Sequence, residues 1–426
     1  MGIVGVARMG PASVQTTAAF WTSMAATTVL LLTVRFGTVA AAGFIGIWGL
    51  YFLTWPKLSA DAMLRTVVPW AFPLFAIVSA LWSTAPDLTI RNGLEWLITT
   101  GIAVVMATSL PMDRLLASWV FALVPVVVVG GLLGGSQFTE TGEVAAVGIF
   151  ASKNNFALHI SLMFFVSLAV LANSRQPRMA RMVALFGFAV GPVLLWKARS
   201  VGALAVFLPS LIMMCTVIGI GRMTSGMRHI AFAGCVFFIL VFSVTILPLA
   251  MQSKEELLHS VGKSGDLTGR GLLWRRADVL IDRRPILGVG YSAFWVQGNP
   301  EAEALWRAEH IPARAGFHFH NFYYEALVEL GYLGLAIGLS VFGLAAAVTF
   351  ANGLRRPGPE TGFFCAMMLF LFMRSFVELD LIGGFGLTAV ILPVAWIYGT
   401  RRNAANPRWA IRLPMPNPNV IQPRVP

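Results

Sequence analysis

The 426 residues are 57% hydrophobic and only 12% charged, with a mean hydropathy of +0.75, whereas soluble domains are about a quarter charged. This composition excludes an ordinary soluble enzyme and points to a polytopic membrane protein. A net charge of +12 would suit nucleic acid, but the arginines fall mostly in short loops between apolar runs, where cytoplasmic retention explains them, so no nucleic-acid partner is expected.

A bilayer-spanning helix needs about 20 mostly apolar residues. Twelve runs qualify, near 15–34, 37–55, 62–82, 92–110, 115–134, 154–172, 182–196, 201–220, 229–250, 321–350, 361–379 and 383–400. The expected fold is therefore an all-α polytopic bundle. Only Arg35, Phe36 and Gly37 separate the first two runs, which leaves a single re-entrant hairpin open there. With the N-terminus inside, alternate loops carry Lys57 and Arg65, then Arg114, then Arg175, Arg178 and Arg181, then Arg222 and Arg228, then Arg355 and Arg356. The tail adds Arg401, Arg402, Arg408 and Arg412. Both termini are accordingly placed in the cytoplasm, with no cleaved signal expected. Four regions follow: spans one to nine in 1–251, a lid loop on the outer, periplasm-like side in 252–320, spans ten to twelve in 321–400, and a proline-rich cytoplasmic tail in 401–426. Within the loop, 270–284 reads as an amphipathic helix ended by Pro285, followed by a tight turn at Gly288-Val289-Gly290 and a second short helix over 301–310. Cys215, Cys235 and Cys365 lie in apolar runs and form no spaced ligand set, so neither a disulfide nor a zinc site is indicated.

Half of the six histidines lie between His310 and His320, where the polar loop gives way to the tenth apolar run. A neutral imidazole there can take a proton from a hydroxyl near neutral pH, although His318 and His320 read equally as solvated loop residues. Four cationic groups share the outer side, each with a plainer alternative. Lys197-Ala198-Arg199-Ser200 faces a polar cavity or snorkels to the interface. Thr268-Gly269-Arg270 opens the lid helix, as an anion site or a solvated helix start. Ser152-Lys153-Asn154-Asn155 opens the sixth span, where free N–H groups favour an anion or merely cap the helix. Arg374 lies in an apolar run with Glu378 four residues on, which allows an i,i+4 pair of structural character. Converging cations suggest a phosphate-containing substrate. Asp266, Asp278, Asp282 and Glu325 are scattered among cations and form no acidic clamp, so no metal and no cofactor are expected.

His320-Asn321, nine residues, then Gly331-Tyr332-Leu333-Gly334 resembles the histidine motif of the O-antigen ligase and Wzy-type polysaccharide polymerase superfamily of bacterial envelopes. Thr268-Gly269-Arg270, Trp274, Pro285, Gly288-Val289-Gly290 and Phe294 resemble its loop pattern, and Ser152-Lys153-Asn154-Asn155 and Arg199-Ser200 its upstream elements. The Lys153-Asn154-Asn155 element, the Arg199-Ser200-Val201-Gly202 turn and the Phe294-Trp295 pair look closest to the exopolysaccharide-polymerisation, ExoQ-type branch. The resemblance covers 150–334. It implies a bundle like that of the GT-C glycosyltransferases in the bacterial inner membrane, with the site facing the periplasm. It also implies a glycan donor on undecaprenyl pyrophosphate, a glycan acceptor, and the flippase and chain-length regulator of the same pathway as further partners. On this resemblance Arg199, Arg270 and Lys153 bind pyrophosphate, and His320 accepts the acceptor proton in an inverting, metal-independent transfer. His318, Asn321, Lys197, Arg374 and Glu378 stand in support.

Three alternatives stay open. A ligase that moves a finished glycan to lipid A core or protein would share the same cations and histidine. A transporter would suit the many spans and the intramembrane Arg374 and Glu378, but the polar residues gather on one face instead of at mid-depth. A non-catalytic assembly subunit is the third.

Overall fold

The computed structural model describes residues 11–139, 142–260 and 270–401. In chain order its helices are α1 (Pro11–Leu31), α2 (Thr33–Thr54), α3 (Pro56–Leu64), α4 (Ala71–Val78), α5 (Pro86–Ser109), α6 (Met112–Leu133), α7 (Lys153–Ala172), α8 (Arg178–Lys197), α9 (Val201–Gly219), α10 (Ser225–Ser260), α11 (Arg270–Arg283), α12 (Pro300–Ala308), α13 (Phe322–Arg355), α14 (Pro359–Arg374) and α15 (Leu387–Thr400). Each expected apolar run contains a helix, and the lid contains the two short helices anticipated in it. Two expectations need correction. Among the described residues, seven helices are long and apolar enough to cross a membrane, or eight if the pair bent by 82° after Leu64 is one broken span, against the twelve expected. The shortfall has local causes: α14 and α15 have only 16 and 14 residues, α5 carries Asp87, Arg91 and Glu95, and α1 is rich in Ser and Thr. The all-α class stands, with β1 (Gly135–Phe138) and β2 (Val144–Gly148) pairing as one short antiparallel hairpin before α7. Finally, α10 continues to Ser260, so the lid boundary expected at 252 falls inside a helix. Asp266, Thr268, Gly269 and the tail beyond Arg401 lie outside the described residues.

The bundle packs around α6, α7 and α14, whose apolar residues surround the helix and are buried on most sides. Trp119, Phe156, Phe165, Phe363 and Phe370 are less than 2% exposed. Large apolar side chains also point outward, Leu53 and Leu81 among them, as a lipid-facing surface requires. Because lipid tails are as apolar as leucine, close packing and interhelical hydrogen bonds hold such a bundle. The Ser23–Ser118 hydroxyl pair at 2.9 Å, joining α1 to α6, is one such bond.

The lid is attached where α13 is broken. Gly331 has φ 66 and ψ −171, which releases the carbonyls of Val328 and Glu329 and the N–H groups of Tyr332 and Leu333 from their helical partners. The segment after α11 replaces all four. Val289 N and Gly290 N donate to Val328 O and Glu329 O at 3.0 and 2.8 Å, while Tyr332 N and Leu333 N donate to Pro285 O and Ile286 O at 2.8 and 3.2 Å. Contact this close requires glycine on both strands: a Cβ at Gly288 would lie 2.4 Å from Glu329 C, and one at Gly331 would lie 2.3 Å from Ile286 C. The Gly288 and Gly331 positions of the sequence motif are thus one interlock.

Candidate active site

The turn that ends the lid and starts α13 carries the histidines. Asn321 caps the helix, its Oδ1 accepting from Tyr323 N at 2.8 Å and Tyr324 N at 3.3 Å, as a short polar side chain does for otherwise unpaired first-turn amides. Its Nδ2 donates to Phe376 O at 3.0 Å, and Phe322 N donates to Ser375 O at 2.9 Å. The segment after α14 is therefore pinned against the histidine turn, and it delivers Glu378. Glu378 Oε2 lies 3.8 Å from His320 Nδ1, and Oε1 lies 3.7 Å from Arg270 Nη2 and accepts from Asn154 Nδ2 at 2.7 Å. Asn154 Oδ1 in turn accepts from Ser200 Oγ at 2.9 Å. One carboxylate thus joins α7, the α8–α9 turn, the lid helix and the histidine.

Burial works to raise the Glu378 carboxyl, but the contact with His320 and the charge of Arg374 outweigh it and bring it down to about 2. His318 is lowered to about 3, chiefly by burial and then by the charges of His320 and Arg270, against which the negative charge of Glu378 works. Its Nδ1 already accepts from His320 N at 3.0 Å. A weakly basic, engaged His318 is a poor proton acceptor. In His320, the tautomer with hydrogen on Nδ1 towards Glu378 leaves the Nε2 lone pair free for a substrate hydroxyl.

Arg270, His318, His320, Asn321 and Glu378 therefore meet in one site, with Asn154 as a member that only its tripeptide motif had flagged. Lys153 opens α7 next to Asn154. The expected Arg374–Glu378 pair is replaced: α14 ends at Arg374, the chain turns, and the Arg374 guanidinium pairs with Asp380 while reaching Asn154 O at 3.5 Å. Two further expected members lie just before Ser200, at the α8–α9 turn. Arg199 pairs with Glu143 of the hairpin at 3.1 Å and lies over the Trp196 ring at 4.9 Å, and Lys197 is exposed. Arg199 and His320 both hold left-handed backbone, with φ 50 and 51, a conformation uncommon outside glycine. Glu325 is not scattered among cations as its sequence context suggests; it is buried and bonded to two N–H donors. Sequence patterning missed Glu143, Asp380 and the role of Glu325, because each partner is distant in sequence or across a turn.

Among the described residues, His318, His320 and Glu378 form one group whose ligand atoms, within 4.8 Å of one another, could hold a metal ion. Sequence reasoning had found no such set. The same carboxylate faces Arg270, and that positive charge opposes a second cation at the site.

His320, Glu378 and Arg270 thus lie together at one end of a bundle with several candidate membrane spans, beside the folded lid. Residues 144–339, from the hairpin through the lid into α13, match the family described as O-antigen ligase. The chain is 29% identical to the exopolysaccharide production protein ExoQ of Rhizobium meliloti (strain 1021), over 93% of this chain and 92% of that protein.

Proposed function

We propose that the protein is a polysaccharide polymerase of the bacterial inner membrane, joining repeat units carried on undecaprenyl pyrophosphate at the periplasmic face. The observation that carries this reading is the Arg270–Glu378–His320 cluster beside the lid. His320 Nε2 takes the proton of an acceptor sugar hydroxyl as that oxygen attacks the anomeric carbon. The bond from that carbon to the pyrophosphate breaks, its electron pair leaves on the phosphate oxygen, and the configuration inverts. Glu378 offsets the imidazolium that forms. Arg270, with Lys153, offsets the charge growing on the leaving group. Arg199 joins them by exchanging Glu143 for phosphate, an exposed pair of this kind being worth only about 0–1 kcal/mol. Protein cations thus do what a metal would otherwise do.

The test is transfer by the purified protein with lipid-linked repeat units in excess EDTA, resolved by product length. A ladder of lengths is expected. His320→Ala should reduce it by about 10²- to 10⁴-fold, the usual contribution of a positioned base, and His318→Ala by much less. Near wild-type transfer by His320→Ala, loss of transfer in EDTA restored by magnesium, or single additions to a non-repeat acceptor would each overturn the reading.

A further inference from the structure

We infer that Glu325 is the positioning residue for His320, holding the peptide that carries the base and acting through it. This rests on the reading of His320 as the proton acceptor. Glu325 sits in the first turn of α13 and is 3% exposed. One carboxylate oxygen accepts the Phe319 N–H at 2.8 Å and the other accepts the Trp295 indole N–H at 3.0 Å. The carbonyl of the same Phe319 accepts the Trp274 indole N–H at 3.0 Å. The residue directly before His320 is therefore gripped at its amide by the helix and at its carbonyl by the lid.

That grip explains how His320 keeps its left-handed φ of 51. Non-glycine residues persist in such conformations only where their surroundings over-determine them. Here the Phe319 amide, the His320 N–H on His318 Nδ1 and the Asn321 cap fix three successive residues. Hydrogen bonds to a carboxylate are the strong ones in this set. Trp295 also packs against Phe317 and Phe319, with ring centroids 5.2 and 4.9 Å apart, and Phe317 meets His320 edge-on at 5.6 Å. Glu325 consequently ties the aim of the imidazole to the lid. Glu329, equally buried, bonds Ser292 N at 2.9 Å instead, so of these two α13 carboxylates Glu325 is the one bonded to the histidine turn.

The experiment is a mutant cycle on the full-length protein, assayed with lipid-linked repeat units. Glutamine offers one acceptor and one donor, so Glu325→Gln cannot receive both N–H groups. A displacement of about 1 Å at a reacting group can cost on the order of 10²-fold; Glu325→Gln is therefore expected to lower kcat roughly ten- to hundredfold, with KM for the donor little changed. In the His320→Ala background the same substitution should have no further effect, since it acts through a side chain no longer present. Trp295→Phe, which removes only the indole donor, should give a smaller loss that is likewise absent over His320→Ala, and it carries the test if Glu325→Gln does not fold. A loss that multiplies with His320→Ala, or a raised KM with kcat intact, overturns the inference while leaving His320 as the base. Full activity of His320→Ala itself overturns both.

Discussion

Glu378 and His318 share the pocket of His320 and respond to pH in different windows. His318 is held at about 3, below the unperturbed value near 6.5, so between these limits the unfolded chain binds more protons than the folded one, and stability rises with pH. Its contribution is complete above about pH 6.5 and is lost as pH falls towards about 3. Glu378, held at about 2, contributes fully above its unfolded value near 4.3 and loses that contribution only as pH falls through about 2. The share of the melting temperature in detergent that His318 supplies should therefore decline from neutral pH to about pH 5. His318→Asn, whose carbonyl can still accept from the His320 amide, should flatten that decline, and Glu378→Gln should leave its slope in place. An unchanged slope in His318→Asn would remove His318 as the cause. The histidine itself was legible in sequence, because Asn321 follows it to cap a helix and the two glycines stand at a fixed spacing. Its carboxylate was assigned a different partner. Spacing along a helix suggested Arg374, whereas the turn after α14 sends Glu378 to His320 and gives Arg374 to Asp380.

At the scale of elements, the decisive feature is a helix broken so that the lid can complete it. Hydropathy cannot register this, since the apolar run continues through Gly331 without interruption and reads as one span. Periodicity did find α11, with Leu273, Ala277 and Ile281 buried on one face. The docking of the lid depends instead on four backbone bonds and two glycines, which leave no apolar pattern. Alanine at Gly331 meets both a φ of 66 and backbone atoms at 2.3 Å. Conformations of this kind cost on the order of 1–3 kcal/mol before any clash is counted. Gly331→Ala and Gly288→Ala should each lower the melting temperature and open the lid to protease, and the double variant should lose less than the sum, because either one alone already separates the same pair of segments. Intact protease resistance in both single variants would show that the lid is held elsewhere.

For the molecule as a whole, composition reads the membrane and charge sets an expected orientation, while the count of full spans depends on bends and short helices that composition does not reveal. The end of the bundle opposite the site gathers the basic loops. There Arg401 donates to Ala107 O at 2.7 Å and to Leu110 O at 3.4 Å, placing a cation on the C-terminus of α5. Arg355 and Arg356 close α13 at its far end from His320. Short loops rich in arginine are retained inside, and a long segment such as the lid is translocated largely regardless of its charge. The lid and histidine turn should therefore face outward, where lipid-linked glycans arrive after crossing the bilayer. In a background with Cys215, Cys235 and Cys365 replaced, Gly298→Cys on the exposed rim of the lid should react with a membrane-impermeant thiol reagent in intact spheroplasts. Arg355→Cys should react only after permeabilisation. The opposite pattern would put the site in the cytoplasm, away from any outer-leaflet donor, and the polymerase reading would fall with the orientation.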